Sequence, residues 1–230
     1  MAFSLNEIVP WGRSFDEYVG MFDLNEQHLK QRILGCADGP AAFNAELTRR
    51  GGQVVSCDPL YSYSRNEIDL RIRECFDTVL EQTRLNLDAF IWTHGISTVE
   101  ELGRVRMQAM ASFLDDYTDG QAQQRYVATA LPDLPFDSNT FDLALCSHFL
   151  FLYGSLGLNF HIRSVLDLIR VAREVPIFPL LQLDRERSPF LDAVISEVRN
   201  QGYVAEITRV PYEFQKDANQ MLVVKRCEVT

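Results

Sequence analysis

Residues 33–58 constrain the fold of this chain more than any other segment. A short apolar strand enters the turn 35–39, Gly-Cys-Ala-Asp-Gly, and Pro40 follows where a helix is expected to begin. Gly51 tolerates the left-handed conformation that ends many helices. A second strand is predicted over 53–58. Strand, glycine turn, helix and strand in this order predict a βαβ unit with a parallel sheet.

The same alternation returns in the second half of the chain. Apolar runs there predict strands over 125–129, 141–146, 175–183, 203–210 and 220–226. Pro179 inside one run is typical of a sheet edge or bulge, and Ser188 with Pro189 predicts the start of a helix. The last two strands are close enough in sequence to pair antiparallel. We therefore predict an α/β, doubly wound fold with an antiparallel end.

Residues 60–124 interrupt this alternation with a helical insertion. Apolar residues recur every fourth position from Ile68 to Leu80, and Ser97 with Glu100 has the spacing of a capping box that starts a second helix. A connection of this length is commonly functional, so we expect a lid over a ligand site. The alternative is that its apolar stripe pads the sheet or forms a homodimer contact.

Length and charge limit the architecture and the partners. The 230 residues fit one domain, 1–230, with the insertion inside it. The net charge is −10, and only three of the 22 basic residues are lysines, so phosphate backbones and anionic membranes should repel the chain. We expect no nucleic-acid partner and no membrane partner.

Three further sequence features bear on the cellular compartment and on membrane association. The uncharged stretch 143–162 is long enough to span a membrane, but it contains Ser147, His148 and glycines. Secretory signals typically have a basic region followed by an apolar run, and the N-terminus of this sequence has no such pattern. The five cysteines form no Cys-x-x-Cys pair and predict no metal site. We expect a cytoplasmic protein with reduced thiols.

Asp58 makes the glycine turn a candidate binding site. An acid at the carboxyl end of the second strand lies beside the turn, where doubly wound folds bind ligands, and it can accept both hydroxyls of a ribose. The turn alone could be a simple connector. Together the two features favour a nucleoside-binding crevice.

Three segments resemble the class I S-adenosylmethionine-dependent methyltransferases: ILGCADGPAAF, VVSCDPLY and LPDLPFDSNTFDLALCSHFLFLY. The terminal strand pair adds to the likeness, which covers the chain except for about 60–124. It implies a Rossmann-like seven-stranded sheet, mostly parallel with an antiparallel last strand. It also implies S-adenosylmethionine as cofactor and methyl transfer to a nucleophilic O, N or C atom of a small molecule.

The resemblance implies roles for individual residues. The methionine part of the cofactor would lie on Gly35, Cys36, Ala37 and Gly39. The ribose would bind Asp58, and the adenine would pack against Pro59 or Leu60 and along Ala130 and Leu131. The fourth strand would end at Cys146, Ser147 and His148, and these residues would face the methyl group.

The chain departs from the family at three positions and leaves some roles open. Ile33 and Ala130 stand where acids are frequent, and Ala37 replaces the middle glycine. Asp38 either supplies a charge for the methionine amine or caps the following helix. Arg13 either pairs with the methionine carboxylate or is a solvated surface residue.

His148 is the candidate catalytic group. It either takes a proton from the acceptor or bonds a backbone carbonyl at the strand end. The aromatic residues Phe149 and Tyr153 would form the acceptor wall or belong to the core.

Two other functions compete with methyl transfer. A nicotinamide dehydrogenase would need a small residue where Pro40 stands. A non-catalytic S-adenosylmethionine-binding or protein-interaction module on the same fold would explain the missing acids. The Asn/Asp-Pro-Pro-Tyr sequence of amino-methylating nucleic-acid enzymes is absent, since residues 146–149 read Cys-Ser-His-Phe.

Overall fold

The structure is a computed structural model that describes residues 9–92 and 95–227. Its described part contains one sheet of seven strands in the order β3-β2-β1-β4-β5-β7-β6. The strands are β1 Arg32–Cys36, β2 Gln53–Cys57, β3 Tyr126–Val127, β4 Phe141–Ser147, β5 Ala172–Phe178, β6 Tyr203–Arg209 and β7 Gln220–Arg226. The strand β7 runs antiparallel to both of its neighbours, and the other pairings are parallel. The sequence-based prediction of the fold class is confirmed.

Helices cover both faces of this sheet. They are α1 Phe15–Met21, α2 Phe43–Arg49, α3 Arg65–Leu85, α4 Val99–Ala122, α5 Leu158–Val171 and α6 Leu191–Asn200. Neighbouring strand residues alternate between two cores: Ile33 packs with α1 and α2, while Leu34 packs with α5 and α6. Burial on both faces explains why the central strands read as continuous apolar runs.

The insertion consists of α3, α4 and the chain between them. Its stripe is buried within the chain: Ile68 and Ile72 pack against Met110 and Phe113 of α4, and Leu80 packs against Leu102. The apolar stripe of α3 is therefore covered by α4. A homodimer stays a prediction, and this stripe is not available as its contact surface.

Several predicted boundaries were wrong for local reasons. Pro40 precedes the helix by three residues, because α2 begins at Phe43. The cap of α4 is Thr98 with Glu101, not Ser97 with Glu100. Similarly, α6 begins at Leu191, after Ser188 and Pro189.

Two further sequence interpretations are settled by strand positions. The strand β5 ends at Phe178, before Pro179, and lies between β4 and β7, so it is not a sheet edge. The stretch 143–162 is divided between β4, a loop and the start of α5. Within the described ranges, no helix has the length and apolar character needed to cross a membrane.

Candidate functional site

A cavity of about 720 Å³ lies where the carboxyl ends of β1, β2 and β4 meet. Parallel strands of a doubly wound sheet place their ligand sites at this edge. The strand ends form the floor with Ala37, Asp58 and Ser147. The chain before α1, the insertion and the loop between β6 and β7 form the remaining walls. The cavity is therefore assembled from segments far apart in sequence.

The glycine turn is shaped around the carboxylate of Asp38. A Cβ atom on Gly35 would overlap this carboxylate, so the position excludes any side chain. The Asp38 Oδ1 atom accepts a hydrogen bond of 2.8 Å from the Tyr18 hydroxyl, and Oδ2 accepts one of 2.6 Å from Ser56 Oγ. Asp38 therefore does not cap α2, whose N-cap residue is Ala42 and which has no side-chain capping hydrogen bond.

Burial gives Asp38 an unusual titration. Loss of hydration raises its pKa to about 6, and the negative charge of Asp58 acts in the same direction. The hydrogen bonds from Ser56 and Tyr18 oppose this shift without cancelling it. Asp38 thus lines the cavity as an acid that loses its charge in mildly acidic solution.

Asp58 connects the turn to the second strand. Its Oδ2 accepts from the Gly39 backbone amide at 2.9 Å, and its Oδ1 accepts from the Leu60 amide at 2.8 Å. Burial raises the pKa of Asp58, while these two amides lower it. Each carboxylate oxygen retains a second lone pair for a hydroxyl in the cavity.

The end of β4 presents Ser147 and His148 to the cavity. The backbone of His148 has a positive φ of 51°, and its amide donates to the Phe178 carbonyl at 2.7 Å. Its Nδ1 lies 2.9 Å from Ser147 Oγ. Burial, with the charges of Arg13 and Arg106, holds the pKa of His148 well below its usual value. The imidazole is therefore neutral at physiological pH.

A basic wall faces this histidine. It consists of Arg13, Arg106, Glu17 and Tyr212. Arg106 Nη1 donates to Glu17 Oε2, and the Tyr212 hydroxyl donates to Glu17 Oε1 at 2.9 Å. Burial alone would raise the pKa of Glu17, but the charge and hydrogen bond of Arg106 lower it to about 2.

Arg13 belongs to this wall and is not a solvated surface residue. Its Nη1 donates to the Trp11 carbonyl at 2.8 Å, and its Nε is buried with no hydrogen-bond partner among the described residues. Burial, followed by the charge of Arg106, lowers the pKa of Arg13.

The roof of the cavity joins the insertion to the loop between β6 and β7. Phe90 forms an isolated bridge with Gln215, and the Ile91 amide donates to the Phe214 carbonyl at 2.7 Å. The Phe90 and Phe214 rings stack with centroids 5.0 Å apart. Sequence reasoning missed this loop and Arg106, because neither carries a motif and both reach the cavity through long-range pairing.

The structure brings most of the predicted site residues together. The cavity is lined by Arg13, Cys36, Ala37, Asp38, Gly39, Asp58, Pro59, Leu60, Ala130, Leu131, Ser147 and His148. Phe149 and Tyr153 also line it. Gly35 supports the wall from behind, and Cys146 points into the core between β4 and α5 instead of facing the cavity.

Comparison with known proteins identifies a relative that spans the chain. No protein-family model matches the sequence. The uncharacterised protein MJ0045 of Methanocaldococcus jannaschii is 34% identical over 225 residues, which cover 97% of this chain and 98% of the relative. The chain belongs to the same family as this protein. Its strand order, with β7 antiparallel, is the class I methyltransferase fold.

Three solved structures are similar at low sequence identity. The 1,6-didemethyltoxoflavin-N1-methyltransferase of Burkholderia thailandensis matches with a TM-score of 0.47 and 12% identity, covering 91% of this chain and 78% of that one. The magnesium protoporphyrin IX methyltransferase of Synechocystis matches with a TM-score of 0.46 and 10% identity, covering 92% and 77%. A Methanosarcina mazei methyltransferase matches with a TM-score of 0.43 and 12% identity, covering 88% and 94%.

Proposed function

We propose that this protein transfers a methyl group from S-adenosylmethionine to a nucleophilic O, N or C atom of a small molecule. The observation that supports this proposal is the cavity itself. It places the glycine turn, Asp58 and His148 around one enclosed space at the ligand-binding edge of a class I methyltransferase fold.

The residues present fit the cofactor at each of its parts. Asp58 has free lone pairs for the two ribose hydroxyls, and Leu60 and Leu131 offer apolar faces to the adenine. Asp38 offers a buried carboxylate to the methionine ammonium. The unpartnered Nε of Arg13 offers a donor to the methionine carboxylate.

The chain contributes alignment and exclusion of water. When bound, S-adenosylmethionine supplies a methyl group on a sulfonium, which is already an activated leaving group. The remaining task is to hold the acceptor in line, a contribution that comes from fixed geometry. The roof of Phe90 and Phe214 covers part of this space, and the aromatic side chains Phe149 and Tyr153 give the acceptor an apolar wall.

His148 is proposed to receive the acceptor's proton. Its imidazole is neutral because burial and two arginines disfavour the charged form. A neutral ring beside Ser147 has a lone pair that can accept a proton as the nucleophile attacks. The two arginines make it a weak base, so alignment of the acceptor supplies most of the rate.

Two measurements on the full chain test the proposal. Titration calorimetry should show one S-adenosylhomocysteine bound per chain, and incubation with methyl-labelled S-adenosylmethionine and a small-molecule extract should give a labelled product. Absence of binding would refute the proposal. Binding without any labelled product would favour the non-catalytic binding module instead.

A further inference from the structure

The insertion delivers a buried guanidinium with two unused donors to the cavity. Arg106 on α4 is 0% exposed and lines the cavity. Its Nη1 is taken by Glu17, whereas Nε and Nη2 have no hydrogen-bond partner in the part of the chain that the structure describes. Buried donors of a charged group without acceptors are costly, and native structures rarely leave them so.

The two free donors form a matched pair. The N–H bonds of Nε and Nη2 lie side by side along one edge of a guanidinium and point in the same direction. This fork fits two coplanar oxygens, which is why arginine binds carboxylates in a bidentate manner. The opposite end of the same group is fixed by Glu17, so the fork is held in place before any ligand arrives.

The surroundings of the fork favour an anion. The basic wall contains two arginines and one carboxylate, and Arg13 makes no ion pair within residues 9–92 and 95–227. The carboxylates of the cavity floor are bonded elsewhere: Asp38 accepts from Tyr18 and Ser56, and Asp58 accepts from the backbone amides of Gly39 and Leu60. An acid group would therefore meet uncompensated positive charge at this wall.

Apolar groups surround the fork on the cavity side. Leu102 lies one helical turn before Arg106 and also lines the cavity, and the Phe214 ring centroid is 6.0 Å from the guanidinium carbon. Trp11 packs in the same hydrophobic cluster as Leu102 and Phe214 and also lines the cavity. A ligand bound here would combine an acid group with an apolar body.

We propose that the methyl acceptor is a carboxylic acid whose carboxylate binds the Nε and Nη2 donors of Arg106 and whose apolar body packs against Trp11, Leu102 and Phe214. This inference rests on the proposed function and names the substrate class of the same site. It assigns the methionine carboxylate of the cofactor to Arg13 and the acid group of the acceptor to Arg106.

The test compares matched acids and amides on the full chain with and without S-adenosylhomocysteine. Benzoate, 4-hydroxybenzoate and indole-3-acetate are titrated beside benzamide, 4-hydroxybenzamide and indole-3-acetamide. We expect at least one acid to bind tenfold or more tightly than its amide. Arg106→Lys keeps the charge opposite Glu17 but removes the fork, so this preference should fall to about twofold or less.

Two further variants keep the test interpretable. Arg104→Lys changes an exposed arginine on the same helix, with a side chain 65% exposed, and should preserve the preference. Glu17→Gln combined with Arg106→Gln removes both buried charges together, so a loss of preference there does not depend on an orphaned carboxylate.

Three possible results distinguish the acid site, its assignment to the acceptor, and the proposed function. Equal binding of every acid and its amide by the wild-type protein would overturn the acid site. If Arg106→Lys weakened S-adenosylhomocysteine binding tenfold, the fork would belong to the cofactor and the inference would be wrong. If the wild-type protein bound acids but no S-adenosylhomocysteine, the proposed function itself would fail.

Discussion

At the scale of single residues, two carboxylates of the cavity floor differ in environment. Asp58 is anchored by two backbone amides, whereas Asp38 is anchored by two hydroxyls. A hydroxyl group can rotate away from the carboxylate or change from hydrogen-bond donor to acceptor, whereas the backbone amides are fixed in position by the fold. Asp58 is therefore suited to a fixed contact, and Asp38 to one that responds to protonation.

Asp58→Ala is expected to weaken S-adenosylhomocysteine binding by about tenfold or more. A hydrogen bond to a charged group contributes about 1.5–3 kcal/mol, and about 1.4 kcal/mol corresponds to a factor of ten. Calorimetry measures the change, and Asp192→Ala, which removes an acid with 80% exposed side chain, is the control. Unchanged affinity in a folded Asp58→Ala protein would contradict the ribose assignment.

The affinity for S-adenosylhomocysteine should fall as the pH drops through about 6. Because the pKa of Asp38 is raised to about 6, the free carboxylate gains a proton there and loses its attraction for the ligand's ammonium. Above that pH the charge is present and affinity should level off. Asp38→Asn should bind more weakly at pH 7.5 and lose this pH dependence, which titrations between pH 5 and 8 would show. A wild-type profile without a decrease near pH 6 would argue against the contact.

Gly35→Val should abolish ligand binding without unfolding the sheet. The physical reason is that the new side chain would displace the Asp38 carboxylate. Circular dichroism checks the fold, and calorimetry checks binding. Normal binding by this variant would show that the position of Asp38 does not matter.

At the scale of elements, the insertion divides into an anchored part and a covering part. The end of α4 is fixed to the sheet through Asp116 and Arg125, and its middle is tied to α2 by a hydrogen bond from Arg49 to Ser112. The beginning of α4 carries Leu102 and Arg106 over the cavity. Within α4, the beginning of the helix is the part that lines the cavity and is positioned to respond directly to a ligand.

We expect S-adenosylhomocysteine to slow hydrogen exchange over 97–109 more than over 110–122. Ligand contacts would stabilise the covering part against local opening, whereas the anchored part is already protected by packing. Peptides from α6, which lies outside the cavity, serve as the reference. No change in 97–109, with protection confined to the glycine turn and Asp58, would rule out a lid.

Local sequence patterns predicted which helices and strands exist more accurately than they predicted where each one begins and ends. The βαβ unit and the two insertion helices were evident because apolar periodicity survives small shifts in register. The starts of α2 and α4 were misplaced because Pro40 and Ser97 are acceptable at several positions near a helix start, and only backbone angles decide which one caps.

At the scale of the whole molecule, the cavity floor was predictable from sequence, whereas the sequence offered only Arg13, Phe149 and Tyr153 as candidates for the walls. Asp58 and the glycine turn lie at strand ends, and strand ends of a parallel sheet meet at one edge by necessity. Arg106 and Phe214 reach the cavity only because α4 crosses that edge and the last loop folds against the insertion. The contacts of Phe214 with Phe90 and Arg106 join residues more than one hundred positions apart and leave no periodic signal.

The cavity is also electrically divided across the molecule. Asp38 and Asp58 line the sheet side, and Arg13 and Arg106 line the side formed by the N-terminal segment and α4. The insertion helix α3 adds one residue of each sign, Glu67 and Arg71. A cofactor bearing an ammonium and a carboxylate would span this division. The account therefore predicts both the place of the cofactor and its direction.

A crystal structure of the full chain with S-adenosylhomocysteine would show the position and direction of the ligand. We expect the ribose hydroxyls on Asp58, the ammonium beside Asp38, the carboxylate at Arg13 and the sulfur facing His148, with Arg106 Nε and Nη2 free of the ligand. A ligand bound outside this cavity, or bound with its carboxylate on Arg106 and its ribose away from Asp58, would contradict this expectation.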